Sequence, residues 1–218
     1  MVSASCTAIS RVAPPSAVIV ATIDPTQPQA VANAAIGTTV TLQGEVIAVE
    51  SYAGGFKFSL RDSTGVITLL LPEEIYSAIA AVETLRPGAV VRATGVVSLY
   101  QGELEITPPN GEAVTIVTPG LPATDPPTPI NQIALRHINM ALTVEGRIDS
   151  VEEFSKGSRF ILKDDTGTIT LLLWQNVLKY VPDQLQPGTR VRVTGLIQFF
   201  KGAFEVVPQL GFDVTVIQ

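Results

Sequence analysis

The chain has 218 residues, a net charge of −6 at neutral pH, 46% hydrophobic and 16% charged residues, 17 Gly, 16 Pro, one Cys and one His. An intrinsically disordered chain would carry less apolar and more charged sequence, and no apolar run nears the roughly 20 residues of a membrane-spanning helix. A single Cys excludes a disulfide scaffold and a Cys-based metal cage, and a single His excludes a multi-His metal site, so the Gly/Pro-punctuated remainder reads as β-rich.

Residues 1–30 are rich in Ala, Ser, Thr, Pro and Val, with Arg11 and Asp24 their only charges, and read as a partly flexible tail. The stretch before Cys6 is too short for an export signal. Ser3-Ala4-Ser5-Cys6 before a Pro-rich stretch resembles what trimming leaves around a bacterial lipoprotein cysteine, although Ser3 stands where such sites usually carry Leu. The alternative is an untethered tail with an incidental Cys6. The compartment stays open between cytoplasmic and extracytoplasmic. The apolar run at 17–23 is expected to add a strand or to pack on the domain that follows.

Beyond the tail the sequence repeats. Residues 42–71 and 144–173 share 14 of 30 positions, and residues 87–108 and 187–208 share 9 of 22. Two tandem domains follow, at 31–117 and 130–218, joined by a semi-rigid Pro/Thr-rich linker at 118–129. Inside each copy the periodicity is two. Phe58 and Leu60 alternate with Lys57, Ser59 and Arg61, as Phe160 and Leu162 do with Arg159, Ile161 and Lys163. This is a strand with one apolar and one partly basic face. Asp62 and Asp164 open turns that end in Gly65 and Gly167, where Asp caps backbone N–H groups. The next strand turns Ile67, Leu69 and Leu71 inward, as Ile169, Leu171 and Leu173 do in the second copy. A short helix is expected over 72–88 and 174–188, with Ile75, Ile79 and Val82 on one face and Pro-Gly at its end. Two strands joined through Gly102 or Gly202 follow, and a last apolar stretch closes each copy.

Three strands, a helix and two strands is the order of a five-stranded Greek-key barrel. The pattern Leu42-x-Gly44-x-Val46, Phe58-x-Leu60-x-Asp62-x-Thr64-Gly65-x-Ile67 and Pro87-Gly88-x-x-Val91-x-Ala93-x-Gly95 resembles the OB-fold nucleic-acid-binding domain of the tRNA-anticodon/helicase type. The second copy repeats it through Gly146, Phe160, Leu162, Asp164, Thr166-Gly167, Pro187-Gly188 and Gly195. The resemblance implies an all-β fold, with one short helix per domain, of two tandem five-stranded OB barrels. The matching residues are core and turns, so they specify fold far better than activity.

OB domains bind on the outer face of strands two and three and between two loops. Each copy sets an aromatic in each loop, Tyr52 and Tyr100 in the first and Phe154 and Phe200 in the second. Between them lie Lys57 and Arg61, or Lys156, Arg159 and Lys163, with Lys201 beside Phe200. Arg192 points outward if Val191 points inward, and Trp174 ends strand three on the outer side. Stacking rings beside cations suit single-stranded nucleic acid. The competing expectations are that Tyr100 and Phe200 fold back to plug the barrel end, and that the cations pair with neighbours such as Glu45 and Glu145.

Charge favours the second copy. Residues 1–127 hold 5 basic and 11 acidic residues, whereas residues 128–218 hold 9 of each. Phosphate binding wants positive charge, so weak and local binding, mainly through the second barrel, is expected. An extracytoplasmic protein- or glycan-interaction module on the same scaffold is the alternative. Enzyme readings are poor. Cys6 lies in the tail, His137 precedes the second barrel, and the pairs Glu73-Glu74, Glu152-Glu153 and Asp164-Asp165 read as a helix start, a loop and a turn rather than as metal ligands. No cofactor and no metal is expected.

Overall fold

The computed structural model describes residues 36–63 and 65–217. Cys6, the tail at 1–30 and the apolar run at 17–23 lie outside the described residues. Two sheets follow in tandem. The first is built from β1 (Thr39–Tyr52), β2 (Gly55–Arg61), β3 (Val66–Pro72), β4 (Val90–Tyr100), β5 (Glu103–Thr107) and β6 (Val114–Thr118). The second repeats it with β7 (Ala141–Phe154), β8 (Gly157–Lys163), β9 (Thr168–Trp174), β10 (Arg190–Phe200), β11 (Ala203–Val207) and β12 (Val214–Val216).

Each sheet closes on itself because its first strand is long enough to serve two partners. Thr39 to Glu45 pair with β4, and Glu45 to Tyr52 pair with β2. A register shift between Val46 and Ala48, repeated between Ile148 and Ser150, bends the strand round the corner. The parallel pairing of β3 with β5, and of β9 with β11, completes the five-stranded OB order. The last apolar stretch of each copy forms a sixth strand, β6 or β12, on the part of β4 or β10 that β5 or β11 leaves uncovered.

The alternation read from the sequence sets the cores. Phe58, Leu60, Leu69, Leu71 and Val91 are buried in the first barrel, and Phe160, Leu162, Leu171, Leu173 and Val191 in the second. Each such side chain contributes about 1.5–3 kcal/mol on leaving water. Asp62 and Asp164 cap their turns, accepting the Gly65 and Gly167 amides at 3.1 and 2.8 Å. The hairpins at 55 and 157 need glycine, because a Cβ would lie 2.2 Å from the Leu71 carbonyl oxygen or 2.1 Å from that of Leu173.

The expected helices shrink to one turn each, α1 (Glu73–Tyr76) and α2 (Gln175–Leu178). After α1 the chain turns through Ala81 in a left-handed conformation (φ 56°) into a 3-10 turn at Val82–Thr84. A helix this short cannot stand by itself, so it is held by burying Ile75 and Tyr76. Ile79 is buried beyond the helix end, and Val82 is only partly covered.

The two barrels touch. Phe56 and Tyr76 of the first lie with centroids 4.1 Å apart and planes tilted by 36°, and Tyr180 of the second meets Tyr76 edge-on at 5.0 Å. Arg86 and Asp213 form a salt bridge at 3.3 Å across the junction. Arg86, 6% exposed, also donates to the Glu83 carbonyl through Nε and Nη2 at 3.0 and 2.8 Å. Burial pushes the Asp213 carboxyl up to about 6 against the pull of Arg86. Gln209 Oε1 accepts the Ser51 amide at 2.9 Å. The stretch joining the barrels is pinned along its length. The Gly120 amide donates to the Thr84 carbonyl, the Asp125 carbonyl accepts from Arg192, and the Thr128 amide donates to the Thr143 carbonyl.

Candidate nucleic-acid interface

In the second barrel the outer face is built by the ends of β7, β8 and β9. The register sets Phe154 opposite Gly157 and Gly157 opposite Trp174. A glycine between two rings leaves room for them to meet, and Phe154 and Trp174 lie edge to face at 6.0 Å. Arg159, two residues along β8 on the same face, lays its guanidinium over the Phe154 ring at 4.6 Å. Glu152 reaches Arg159 only at 3.9 Å and is mostly exposed. Such a loose ion pair contributes at most about 1 kcal/mol and is screened by salt. Trp174 is 38% exposed. Three side chains singled out in the sequence thus form one platform of two rings and a cation.

At the other edge of the face, β10 and β11 turn through Lys201 in a left-handed conformation (φ 49°) and Gly202. Phe200 and Tyr100 do not plug their barrels. They are 49% and 54% exposed. Lys201 lies over the Phe200 ring at 5.3 Å. Phe199, which the sequence reading passed over, is exposed at the same tip and packs on Phe204 at 5.0 Å. Its signal was the double aromatic Phe199-Phe200 against Leu99-Tyr100.

The first barrel uses matching positions differently. Lys57 donates to Glu105 at 2.7 Å and sits over Tyr100 at 5.1 Å. That hydrogen bond raises the Lys57 pKa. Tyr52 is half-buried, its hydroxyl pKa raised by burial and lowered by Lys57. Glu105 and its counterpart Glu205 are both buried at the centre of the outer face, a feature the sequence reading missed. The clue was their identity in the second repeat block, an acidic residue at an outward strand position in both copies. Burial raises the Glu205 pKa, and Arg159 opposes the shift.

Other predicted residues stay apart from the platform. Arg192 donates to Glu145 at 2.8 Å and to the Asp125 carbonyl, so it fastens the linker to the β7–β10 side. Arg61 pairs with Glu45 at 3.3 Å. Lys163 lies at the rim of a charged pit of about 430 Å³ shared with Glu145, Asp149, Asp164, Asp165 and Arg190. Lys156 is exposed at the hairpin tip, and its carbonyl accepts the Gln175 amide at 2.8 Å. Among the described residues, no cluster of three or more His, Cys, Asp or Glu is placed to hold a metal ion, and no helix is long and apolar enough to cross a membrane.

The family model of the OB-fold nucleic acid binding domain, tRNA anti-codon type, matches residues 40–114 and 142–209. An aspartate--tRNA(Asp/Asn) ligase of Salinispora arenicola is 30% identical over 186 residues, covering 76% of this chain. The chain spans 30% of that relative's length. Among solved structures, the p204 HINb domain aligns with 81% of this chain and 96% of its own, with a TM-score of 0.35 and 14% identity. The asparaginyl-tRNA synthetase of Pyrococcus horikoshii, complexed with asparaginyl-adenylate, aligns with 43% of this chain and 22% of its own, with a TM-score of 0.36 and 16% identity.

Proposed function

This chain belongs to the family of OB-fold nucleic acid binding domains, and from that premise we propose that it is a non-enzymatic binder of single-stranded DNA or RNA, acting mainly through its second barrel. The observation that carries the reading is the Arg159 guanidinium lying 4.6 Å over Phe154, with Trp174 against the same ring. A base stacks on such a platform whatever its identity, and the neighbouring cation meets the phosphate, so binding is tolerant of sequence. The chain's net charge of −6 keeps the affinity modest, because little positive charge is present to release counterions. The ligase among its relatives makes a tRNA loop a natural single strand to include.

The test is anisotropy of a fluorescent single strand of about 20 nucleotides at low and moderate salt, using the full chain. Micromolar binding that weakens with salt is expected. Lack of binding at low salt overturns the reading. It would then leave the protein- or glycan-interaction module, which the acidic net charge favours.

A further inference from the structure

We infer that the outer faces of the two barrels form one binding track across their junction, along which a single strand passes from the Phe154–Trp174–Arg159 platform onto the Tyr52 hairpin of the first barrel. The inference rests on the proposed function and adds the path and length of the ligand.

The joint is α2. Its Gln175 amide donates to the Lys156 carbonyl in the second barrel's own hairpin at 2.8 Å. The next residue, Asn176, reaches the other way. Its Nδ2 donates to the Tyr52 carbonyl at 3.0 Å and to the Gly55 carbonyl at 3.4 Å. One helical turn therefore clasps both β-hairpins, each the one that bounds its barrel's outer face. Asn176 is 6% exposed, so water competes little for its amide. With water excluded, the amide has no replacement for these acceptors, which holds the hairpins in register. Lys179, in the turn after α2, pairs with Glu73 of α1 and tightens the same contact.

The chain geometry sets the gap. Trp174 precedes Asn176 by two residues, at most about 7 Å of backbone. From Asn176 the step to the first barrel is one hydrogen bond, 3.0 Å to the Tyr52 carbonyl oxygen. The Tyr52 ring lies over Gly54, where an added Cβ would come within 2.9 Å of it, so the ring rests on the hairpin with Lys57 nearby. The Tyr52 hairpin thus borders the turn that follows Trp174, and a strand leaving Trp174 passes onto it. Lys179 neutralises Glu73 at the same contact.

A track and two separate faces respond differently to ligand length. Single strands of about 6 and about 20 nucleotides are compared on the full chain, since one OB barrel covers roughly 4–16 nucleotides. The wild type is expected to bind the long strand one to one and at least roughly tenfold tighter than the short one, by effective concentration. Asn176→Ala keeps Trp174, Phe154, Arg159 and Tyr52 but frees the hairpin. It should cut the long-strand advantage at least about threefold and leave short-strand affinity unchanged. Tyr52→Ala, on a hairpin surface, should give the same split and serves where Asn176→Ala lowers the melting temperature. Binding of both strands with an unchanged ratio in Tyr52→Ala overturns the track while the proposed function stands. Failure of the wild type to bind either strand at low salt overturns both.

Discussion

In the first barrel the cation at the centre of the outer face is Lys57, 2.7 Å from the buried Glu105. In the second barrel the matching cation is Arg159, 4.6 Å over Phe154, while Glu205 stands in the place of Glu105. Scaffold, register and buried acid are the same, and the cation has chosen a different partner. An ammonium is a compact charge that seeks one oxygen, whereas a planar guanidinium also gains from lying on a ring. A second change acts with it, since Trp174 occupies the position of Pro72 at the end of strand three. Both cations lie over a ring, but the duplicated fold holds one face whose cation is tied to the buried acid and one whose cation is left on the aromatics.

The largest effect should come from removing the rings that only the second barrel presents this way. Phe154→Ala with Phe200→Ala should lower single-strand affinity roughly 100-fold, at about 1–3 kcal/mol per stacked base, with little change in melting temperature. Tyr100→Ala, on the face whose lysine is already neutralised, should change it less than about threefold. Equal losses from the two sides in the same anisotropy titration would erase the distinction between the barrels.

Exchanging the cations asks whether the partner choice follows from the side chain. Arg159→Lys should redirect the charge toward Glu205 and weaken binding roughly fivefold, through the lost stacking. Lys57→Arg should gain a smaller amount. If both exchanges are silent, the surroundings rather than the cation set the difference.

These contrasts show where the sequence was informative. The barrel cores were legible because a period of two and a repeat in two matched blocks mark the inward positions, from Phe58 and Leu60 to Phe160 and Leu162. The loop aromatics and the cations of β2 and β8 were legible for the same reason. Pairing with Glu45 and Glu145 was legible too and is made by Arg61 and Arg192, whereas the pairs that depend on strands brought together by closure were not. Glu105 reaches Lys57 across β3, and Asp125 reaches Arg192 from the linker. The junction was hidden for a stronger reason. Asn176, Arg86, Gln209 and Asp213 lie outside the shared pattern, and the alternation of one barrel says nothing about what its end packs against. The first helix was overestimated because Ile75, Ile79 and Val82 keep helical spacing while Ala81 takes a left-handed conformation.

A smaller effect is expected from releasing Lys57. Glu105→Gln keeps the shape and removes the charge, so Lys57 becomes available to a phosphate. In the Phe154→Ala/Phe200→Ala background, which silences the second barrel, it should raise affinity about threefold and steepen the slope of log K against log salt by about 0.7. An unchanged slope would mean that Glu105 is not what holds Lys57 back. In the unmodified chain, acidification into the raised range of Glu205 should strengthen binding, because the proton removes a negative charge beside Arg159. Glu205→Gln should abolish that pH dependence.

The smallest expected change leaves the binding face untouched and concerns the junction. The Asp213 carboxyl titrates at about 6 in the folded chain against 3.8 for an ordinary aspartate, since burial outweighs the attraction of Arg86. A raised carboxyl means that the folded state takes up the proton first. Stability should therefore rise as pH falls from above 6 toward 4, and reach its plateau once the unfolded chain is protonated too. At neutral pH the ionised Asp213 carries the full burial cost. Asp213→Asn removes that cost, and Arg86 keeps its two hydrogen bonds to the Glu83 carbonyl. The variant should melt about 2–4 °C higher than the wild type at neutral pH. The gap should close on titration toward pH 4, because the wild-type carboxyl is then neutral as well. A variant that melts lower at neutral pH would show that the ion pair contributes more than burying it costs, the other outcome known for buried pairs.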